Sequence, residues 1–112
     1  MQRGDVYDVR FDPVEDSEQG GTRPAVLVSR DAINRSSPVI VVVPLTRAVH
    51  VKRQYPNNVR LAKGQGGLTA DSLALCGQVR ALSTDRLLRQ RGHLLADVMR
   101  QVDDALRITL DL

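Results

Sequence analysis

Five consecutive β-branched residues, Val39 to Val43, restrict the fold of this chain more than any other feature. Such a run is typical of a strand buried on both faces, because branched aliphatic side chains pack well against neighbouring strands. We therefore expect residues 39–43 to form the centre of a sheet. Shorter candidate strands are predicted at Val6–Phe11, Pro24–Ser29, Val59–Leu61, Leu73–Cys76, Gln78–Leu82 and Arg89–Leu94, with Gly77 marking a kink between two of them.

After residue 82, the sequence pattern changes from candidate strands to segments that include helical signals. Ser83–Asp85 supplies N-cap chemistry for a short helical turn. Asp97–Leu110 predicts an amphipathic helix, which we expect to pack on the sheet through Val98, Val102, Ala105, Leu106, Thr109 and Leu110. Asp31–Pro38 is predicted to be an irregular connection. These elements indicate a mainly β (α+β) fold with residues 1–112 as one domain, a small bent sheet or half-open barrel with one closing helix.

Cysteine usage and the N-terminus indicate a cellular compartment. The chain holds one cysteine, Cys76, so no intrachain disulfide can form, which fits a reducing environment. Because Cys76 lies in an apolar run, we expect a buried hydrophobic side chain and not a nucleophile. The N-terminus lacks the apolar core of a signal peptide, and no apolar stretch approaches the length of a membrane span. We expect a soluble cytoplasmic protein without membrane association.

Basic charge is concentrated in one part of the chain. Residues 20–63 carry eight arginine and lysine side chains against Asp31 alone, whereas residues 1–19 carry six acidic and two basic side chains. All but two of the 16 basic residues are arginines, which bind phosphate groups through two parallel hydrogen bonds. A local excess of this kind indicates an anionic partner, and nucleic acid is the first candidate.

The basic segment begins at a turn with unusual stiffness. Gly20 and Gly21 permit a tight turn, and Pro24 favours an extended backbone at Arg23. An apolar strand follows directly. Arg23 is therefore expected to stand rigidly at the mouth of that strand, an arrangement suited to holding a phosphate group.

The available side chains favour one class of chemistry. The sequence contains no cysteine pair, no histidine pair at metal-ligand spacing and no nucleophile-elbow motif, so we expect neither a metal nor another cofactor. The glycine-rich segment Gly64–Gly67 lacks the lysine of a phosphate-binding P-loop. A guanidinium, a hydroxyl and a carboxylate suit metal-free cleavage of RNA, in which the 2′-hydroxyl of the substrate is the nucleophile. DNA lacks that hydroxyl and cannot be cut in this way.

Five motifs, in the same order over nearly the whole chain, resemble the MazF/PemK toxins of bacterial type II toxin–antitoxin modules. They lie at Arg3–Tyr7, Gly20–Val26, Asn34–Pro38, Pro44–Thr46 and between Gln78 and Leu87. The resemblance implies an SH3-like small β-barrel with a C-terminal helix, a CcdB/PemK-like fold, and a homodimer. It also implies a sequence-specific, metal-independent endoribonuclease that cuts mRNA and so inhibits translation and growth. A MazE-like antitoxin with an acidic, disordered tail is the implied partner.

The resemblance further implies roles for individual residues. Arg23 matches the family's catalytic arginine and Thr46 its catalytic threonine. The residues implied to bind RNA are Ser17, Glu18, Gln19 and Gly20 in the loop before Arg23, together with Gln78. We assign Arg23 mainly to charge stabilisation, because arginine is a poor base at neutral pH, and the general base stays open.

Further candidates lie in the polar loop after Thr46. Its basic residues Arg47, Lys52 and Arg53 are expected to contact RNA phosphates. His50, in the same loop, carries an imidazole suited to proton transfer, but the family motif has no matching histidine. Its participation is left open.

Two other functions are compatible with a fold of this kind, since a fold alone does not decide function. A CcdB-like toxin binds and poisons DNA gyrase without cutting RNA, and it would not need Arg23 and Thr46 together. An SH3-like interaction module usually has an aromatic groove for proline-rich ligands. Such a groove is hard to build from two tyrosines, one phenylalanine and no tryptophan.

Overall fold

The computed structural model describes residues 1–11 and 21–112 of the chain. The described residues form seven strands and two α-helices, connected in part by short 3₁₀ turns. The strands are β1 (Asp5–Arg10), β2 (Thr22–Leu27), β3 (Val39–Arg47), β4 (Asn58–Leu61), β5 (Ser72–Leu75), β6 (Arg80–Ser83) and β7 (Leu87–His93). The helices are α1 (Asp31–Ser36) and α2 (Ala96–Leu110), and the 3₁₀ turns are Ala48–His50, Gln65–Gly67, Cys76–Gln78 and Thr84–Arg86.

The predicted central strand is confirmed and is longer than expected. β3 runs for nine residues and lies between β2 and β5 in the antiparallel order β4–β5–β3–β2–β1–β7. Its first half pairs with β6 through Val39–Val42, and its last residues, Leu45–Arg47, pair with β5. Pro44, which has no N–H to donate, lies between these two paired stretches. β3 thus joins both parts of the bent sheet.

Two apolar clusters fill the two sides of this sheet. One contains Val26 and Val43 and packs against Val102 and Ala105 of α2. The other is formed by the alternate strand residues, Val9, Ala25, Leu27, Ile40, Val42 and Leu82. Because side chains alternate between the faces of a strand, residues Ile40–Val43 of β3 contribute to both clusters, whereas Val39 is exposed. Each fully buried valine or leucine stabilises the fold by about 1.5–3 kcal/mol.

The C-terminal helix is confirmed, with one shift in its apolar stripe. Val102 and Ala105 are buried, and Val98 and Leu106 pack against the same cluster, as the periodicity predicts. The sequence pattern also places Leu110 on this stripe, but Leu110 is 51% exposed. Met99, which the predicted stripe does not include, is buried instead because the helix turns this residue toward the sheet.

The segment Asp31–Pro38 was predicted to be irregular, and this is wrong for its first six residues, which form α1. The reason is a tertiary contact. Asn34 is buried, its amide donates to the backbone oxygen of Ser29 at 2.8 Å, and the Ser29 hydroxyl donates to the Asn34 side-chain oxygen. A side chain that favours turns in isolation thus fixes a helix against the end of β2.

The remaining connections agree with the predictions. The kink expected at Gly77 is a 3₁₀ turn, Cys76–Gln78, which separates β5 from β6. The Ser83 side chain accepts a hydrogen bond from the Asp85 backbone N–H at 3.2 Å and caps the turn that follows. In the described ranges, no helix is both long and apolar enough to cross a bilayer.

Candidate active site

A cavity of about 640 Å³ opens at one end of the sheet. It lies where β2 and β3 separate, and the 3₁₀ turn after β3, the loop before β5 and the strand β7 complete its wall. Its lining residues are Gly21, Thr22, Arg23, Pro24, Leu45, Thr46, Arg47, His50, Leu68, Thr69, Ala70, Ser72 and Arg91.

The two residues predicted to be catalytic both line this cavity. The β2–β3 ladder reaches Ala25 opposite Pro44, and Arg23 and Thr46 each lie two residues beyond that pair on their own strands. Arg23 is exposed and Thr46 is partly buried, so neither side chain is enclosed in the core. The strand pairing therefore brings together two residues that are 23 positions apart in the sequence.

The electrostatic character of the cavity is positive. Three arginines, Arg23, Arg47 and Arg91, line it together with His50. Four hydroxyl side chains, Thr22, Thr46, Thr69 and Ser72, are also present. No carboxylate is found among the described lining residues. An open cavity with this composition is suited to an anionic ligand.

The structure separates the other predicted RNA-binding residues into three groups. Arg47 lines the cavity. Lys52, Arg53 and Gln78 are exposed, but they are not among the residues that line it. Ser17, Glu18, Gln19 and Gly20 lie outside the described residues. The roles of all these residues stay predictions.

Three polar cavity residues lie outside every motif identified from the sequence: Thr69, Ser72 and Arg91. Arg91 lies on β7, which reaches the cavity only because β7 pairs with β1 and β1 pairs with β2. No local motif surrounds it. The signal that would have identified Arg91 is the strand order, which periodicity alone does not provide.

A further reactive group, the thiol of Cys76, lies outside the cavity. Cys76 is fully buried, as predicted, and burial raises the pKa of its thiol to about 11, with the nearby Asp103 carboxylate adding to the effect. A protonated, buried thiol is a poor nucleophile. Across residues 1–11 and 21–112, no three His, Cys, Asp or Glu side chains form a group that could hold a metal ion.

The fold and the cavity together define a class: a small bent-sheet protein with a cavity lined by arginines and by residues with hydroxyl side chains. Within that class, the chain belongs to the family of PemK-like, MazF-like toxins of type II toxin–antitoxin systems, whose family model matches residues 2–110. The family resemblance drawn from the sequence motifs is therefore confirmed.

Individual relatives agree with this assignment. The chain is 39% identical to the endoribonuclease MazF9 of Mycobacterium tuberculosis, over the whole of this chain and 98% of that protein. It superposes on MazF of Deinococcus radiodurans with a TM-score of 0.79 at 27% identity, covering 100% of this chain and 97% of the other. A mycobacterial endoribonuclease, solved in complex with its cognate antitoxin, shares the fold with a TM-score of 0.80 at 24% identity, covering 100% and 96%.

These findings confirm two predictions. The small-barrel-like, mainly β fold with a C-terminal helix is that of solved MazF structures, although among the strands described here the sheet runs from β4 to β7 without closing. The predicted enzyme class, an endoribonuclease of the MazF type, follows from family membership.

Proposed function

We propose that this MazF-type toxin cleaves single-stranded mRNA in the cytoplasm without a metal ion. In the proposed reaction, the 2′-oxygen of the substrate bonds to the adjacent phosphorus and the bond from phosphorus to the 5′-oxygen breaks. The products are a 2′,3′-cyclic phosphate and a 5′-hydroxyl. The observation that carries the proposal is that Arg23 and Thr46 line one positively charged cavity.

Arg23 and Thr46 have complementary roles in this reaction. The transition state concentrates negative charge on the non-bridging oxygens of the phosphate, and the planar N–H donors of Arg23 match that charge. The hydroxyl of Thr46 donates a hydrogen bond to one of these oxygens. The position of both residues at strand ends holds these donors in place before the substrate arrives.

Two protons must also move: one leaves the 2′-hydroxyl, and one reaches the 5′-oxygen. His50 lines the same cavity, and imidazole is the side chain that exchanges a proton near neutral pH. We therefore assign His50 as the general base that accepts the 2′-hydroxyl proton, and solvent supplies the proton of the leaving group.

The positive cavity also supports the proposed partner, an antitoxin with an acidic segment. An acidic peptide and an RNA strand present the same charge, so one surface can bind either. Structures of MazE–MazF complexes exist for Deinococcus radiodurans, and one of them shares this fold with a TM-score of 0.76. We also propose that the chain forms a homodimer and that residues 1–112 form one toxin domain.

The experiment that tests this function is cleavage of a defined single-stranded RNA by the purified protein in excess EDTA, followed by analysis of the ends. Cyclic phosphate and 5′-hydroxyl ends are expected. A 3′-hydroxyl and a 5′-phosphate at the cut, or cleavage that stops when EDTA is added, would contradict the proposal. The alternative, a CcdB-like gyrase poison, is not favoured by the family match, and it predicts inhibition of DNA supercoiling with intact RNA.

A further inference from the structure

We propose that Arg91 is a phosphate-binding residue of this cavity and that Asp8 holds it in position. The inference rests on the proposed function and names the group that binds an RNA phosphate next to the scissile one. Arg91 lies on β7 and lines the cavity together with Arg23, from the opposite end of the sequence. Three observations carry the assignment.

The first observation is the contact between the two side chains. Asp8 lies on β1, opposite Pro24 of β2 on one side and opposite Arg89 of β7 on the other. Its carboxylate accepts a hydrogen bond from Nη1 of Arg91 at 3.4 Å. A guanidinium carries five N–H donors in a rigid plane, so a contact through one nitrogen orients the group and leaves donors for a phosphate oxygen.

The second observation is the degree of burial. The Arg91 side chain is 17% exposed and that of Asp8 is 19% exposed, whereas Arg89, which contacts the same carboxylate at 3.4 Å, is 74% exposed. Arg89 is not among the cavity residues. One carboxylate thus contacts two arginines, of which one is exposed to solvent and the other is a largely buried residue of the cavity wall.

The third observation is the backbone packing beneath Arg91. Gly67 has a φ of +76°, and a Cβ added there would lie 2.3 Å from the backbone oxygen of Arg91. A Cβ added at Gly92 would lie 2.6 Å from the backbone carbon of Gly66. These contacts require glycine and press β7 against the loop that supplies Leu68–Ala70 to the cavity wall. The backbone of Arg91 is fixed by this contact, and its side chain is oriented by Asp8.

The test compares two variants, each of which replaces one of the two arginines that contact the Asp8 carboxylate. Arg91→Gln is expected to raise the KM for RNA about 10-fold, the effect of losing one charged hydrogen bond to a phosphate, with little change in kcat. The matched control, Arg89→Gln, removes the same charge from the same strand and is expected to change KM by no more than about 3-fold. Equal effects of the two variants would overturn the proposal.

A second measurement identifies the phosphate. A series of RNA oligonucleotides carries one uncharged methylphosphonate at successive positions beside the cleavage site. In the wild-type protein, a methylphosphonate at the phosphate that Arg91 binds is expected to weaken RNA binding about 10-fold. In Arg91→Gln, a methylphosphonate at the same position is expected to cause no further loss of affinity. If every position keeps its full effect in Arg91→Gln, Arg91 binds no phosphate and the proposal is wrong.

Two further results separate the possible failures. Arg91→Lys keeps the charge and the aliphatic stem, and an intermediate KM is expected because the planar fork is lost; if Arg91→Gln does not fold, this variant carries the test. A KM for Arg91→Lys equal to that of the wild type would overturn the proposal.

If the wild type cuts RNA but Arg91→Gln and Arg89→Gln have the same KM, only this inference fails. If the wild type neither binds nor cuts RNA, the proposed function fails with it.

Discussion

Arg23 and Thr46 lie on adjacent strands, each two residues beyond the Ala25–Pro44 pair, and both residues line the cavity that opens where the strands separate. The stiffness of this arrangement comes from the backbone. β2 is held along its length by β1, with Val9 opposite Arg23, and β3 is held by β5, with Leu73 opposite Thr46. The guanidinium and the hydroxyl are therefore carried by paired strands on both sides of the cavity.

Replacing Arg23 is expected to remove most of the catalysis. Arg23→Ala should lower kcat by about 10²–10³-fold, as is typical when one donor to a developing oxyanion is lost. Arg23→Lys should recover part of the rate because it restores the charge without the planar fork. Single-turnover RNA cleavage measures both. Arg30→Ala, an exposed arginine outside the cavity, is the control and should keep the wild-type rate. Full activity in Arg23→Ala would show that the site assignment is wrong.

Thr46→Val tests the hydroxyl alone, because valine preserves the shape of threonine. The loss of one hydrogen bond to a charged oxygen is expected to lower kcat about 10- to 100-fold. Thr46→Ser restores the hydroxyl and should remain within a few-fold of the wild type. Thermal unfolding of the three proteins checks that the fold is unchanged. Equal rates for the valine and serine variants would exclude a role for the hydroxyl.

The pH dependence of cleavage tests the assignment of His50. A general base accepts a proton only while it is itself deprotonated, so kcat/KM should rise with pH. In His50→Gln this rise should disappear. The chain offers a matched control in its other histidine: Nδ1 of His93 lies 2.7 Å from a carboxylate oxygen of Asp5, and His93 is not among the cavity residues. His93→Gln should keep the rise. Its persistence in His50→Gln would assign the base elsewhere.

Cys76 predicts a pH effect on stability and not on activity. Its folded-state pKa is raised from 9.0 to about 11 by burial. The unfolded chain therefore releases this proton first as the pH rises. The stabilising contribution is complete below pH 9 and is lost as the pH rises toward 11.

Urea unfolding at pH 7.5 and at pH 10 measures this effect. The free energy of unfolding should fall more between these values in the wild type than in Cys76→Val. An equal fall in the two proteins would assign the alkaline sensitivity to other groups. In the native protein, labelling of the Cys76 thiol by iodoacetamide should be slow until urea exposes it.

Much of the fold follows from local patterns. The valine run, the alternation of Val6–Phe11 and the helical spacing after Asp97 each identify an element that the structure contains. These patterns succeed because burial on a sheet or helix face imposes its period on the sequence. α1 was missed because its stability depends on the contact between Asn34 and Ser29, which no helical period encodes.

The candidate site also contains some residues that local sequence patterns identify and others that only the tertiary structure brings together. Arg23 and Thr46 were identified as candidate site residues because a proline, a glycine turn and family motifs surround them. The Asp8–Arg91 pair joins residues on β1 and β7 that are 83 positions apart, so its existence depends on the strand order. Sequence patterns identified the residues that we propose perform the chemistry, and the topology identified Arg91, which we propose binds a substrate phosphate.

The most direct test of the central claim uses the wild-type protein and two RNA oligonucleotides that differ by one oxygen. The second oligonucleotide carries a single 2′-deoxy nucleotide on the 5′ side of the mapped cleavage position. In EDTA, the all-ribo strand should be cut at that position, and the substituted strand should bind with similar affinity and remain intact. Cleavage of the substituted strand at the same bond would contradict attack by the 2′-hydroxyl, and with it the catalytic roles of Arg23 and Thr46.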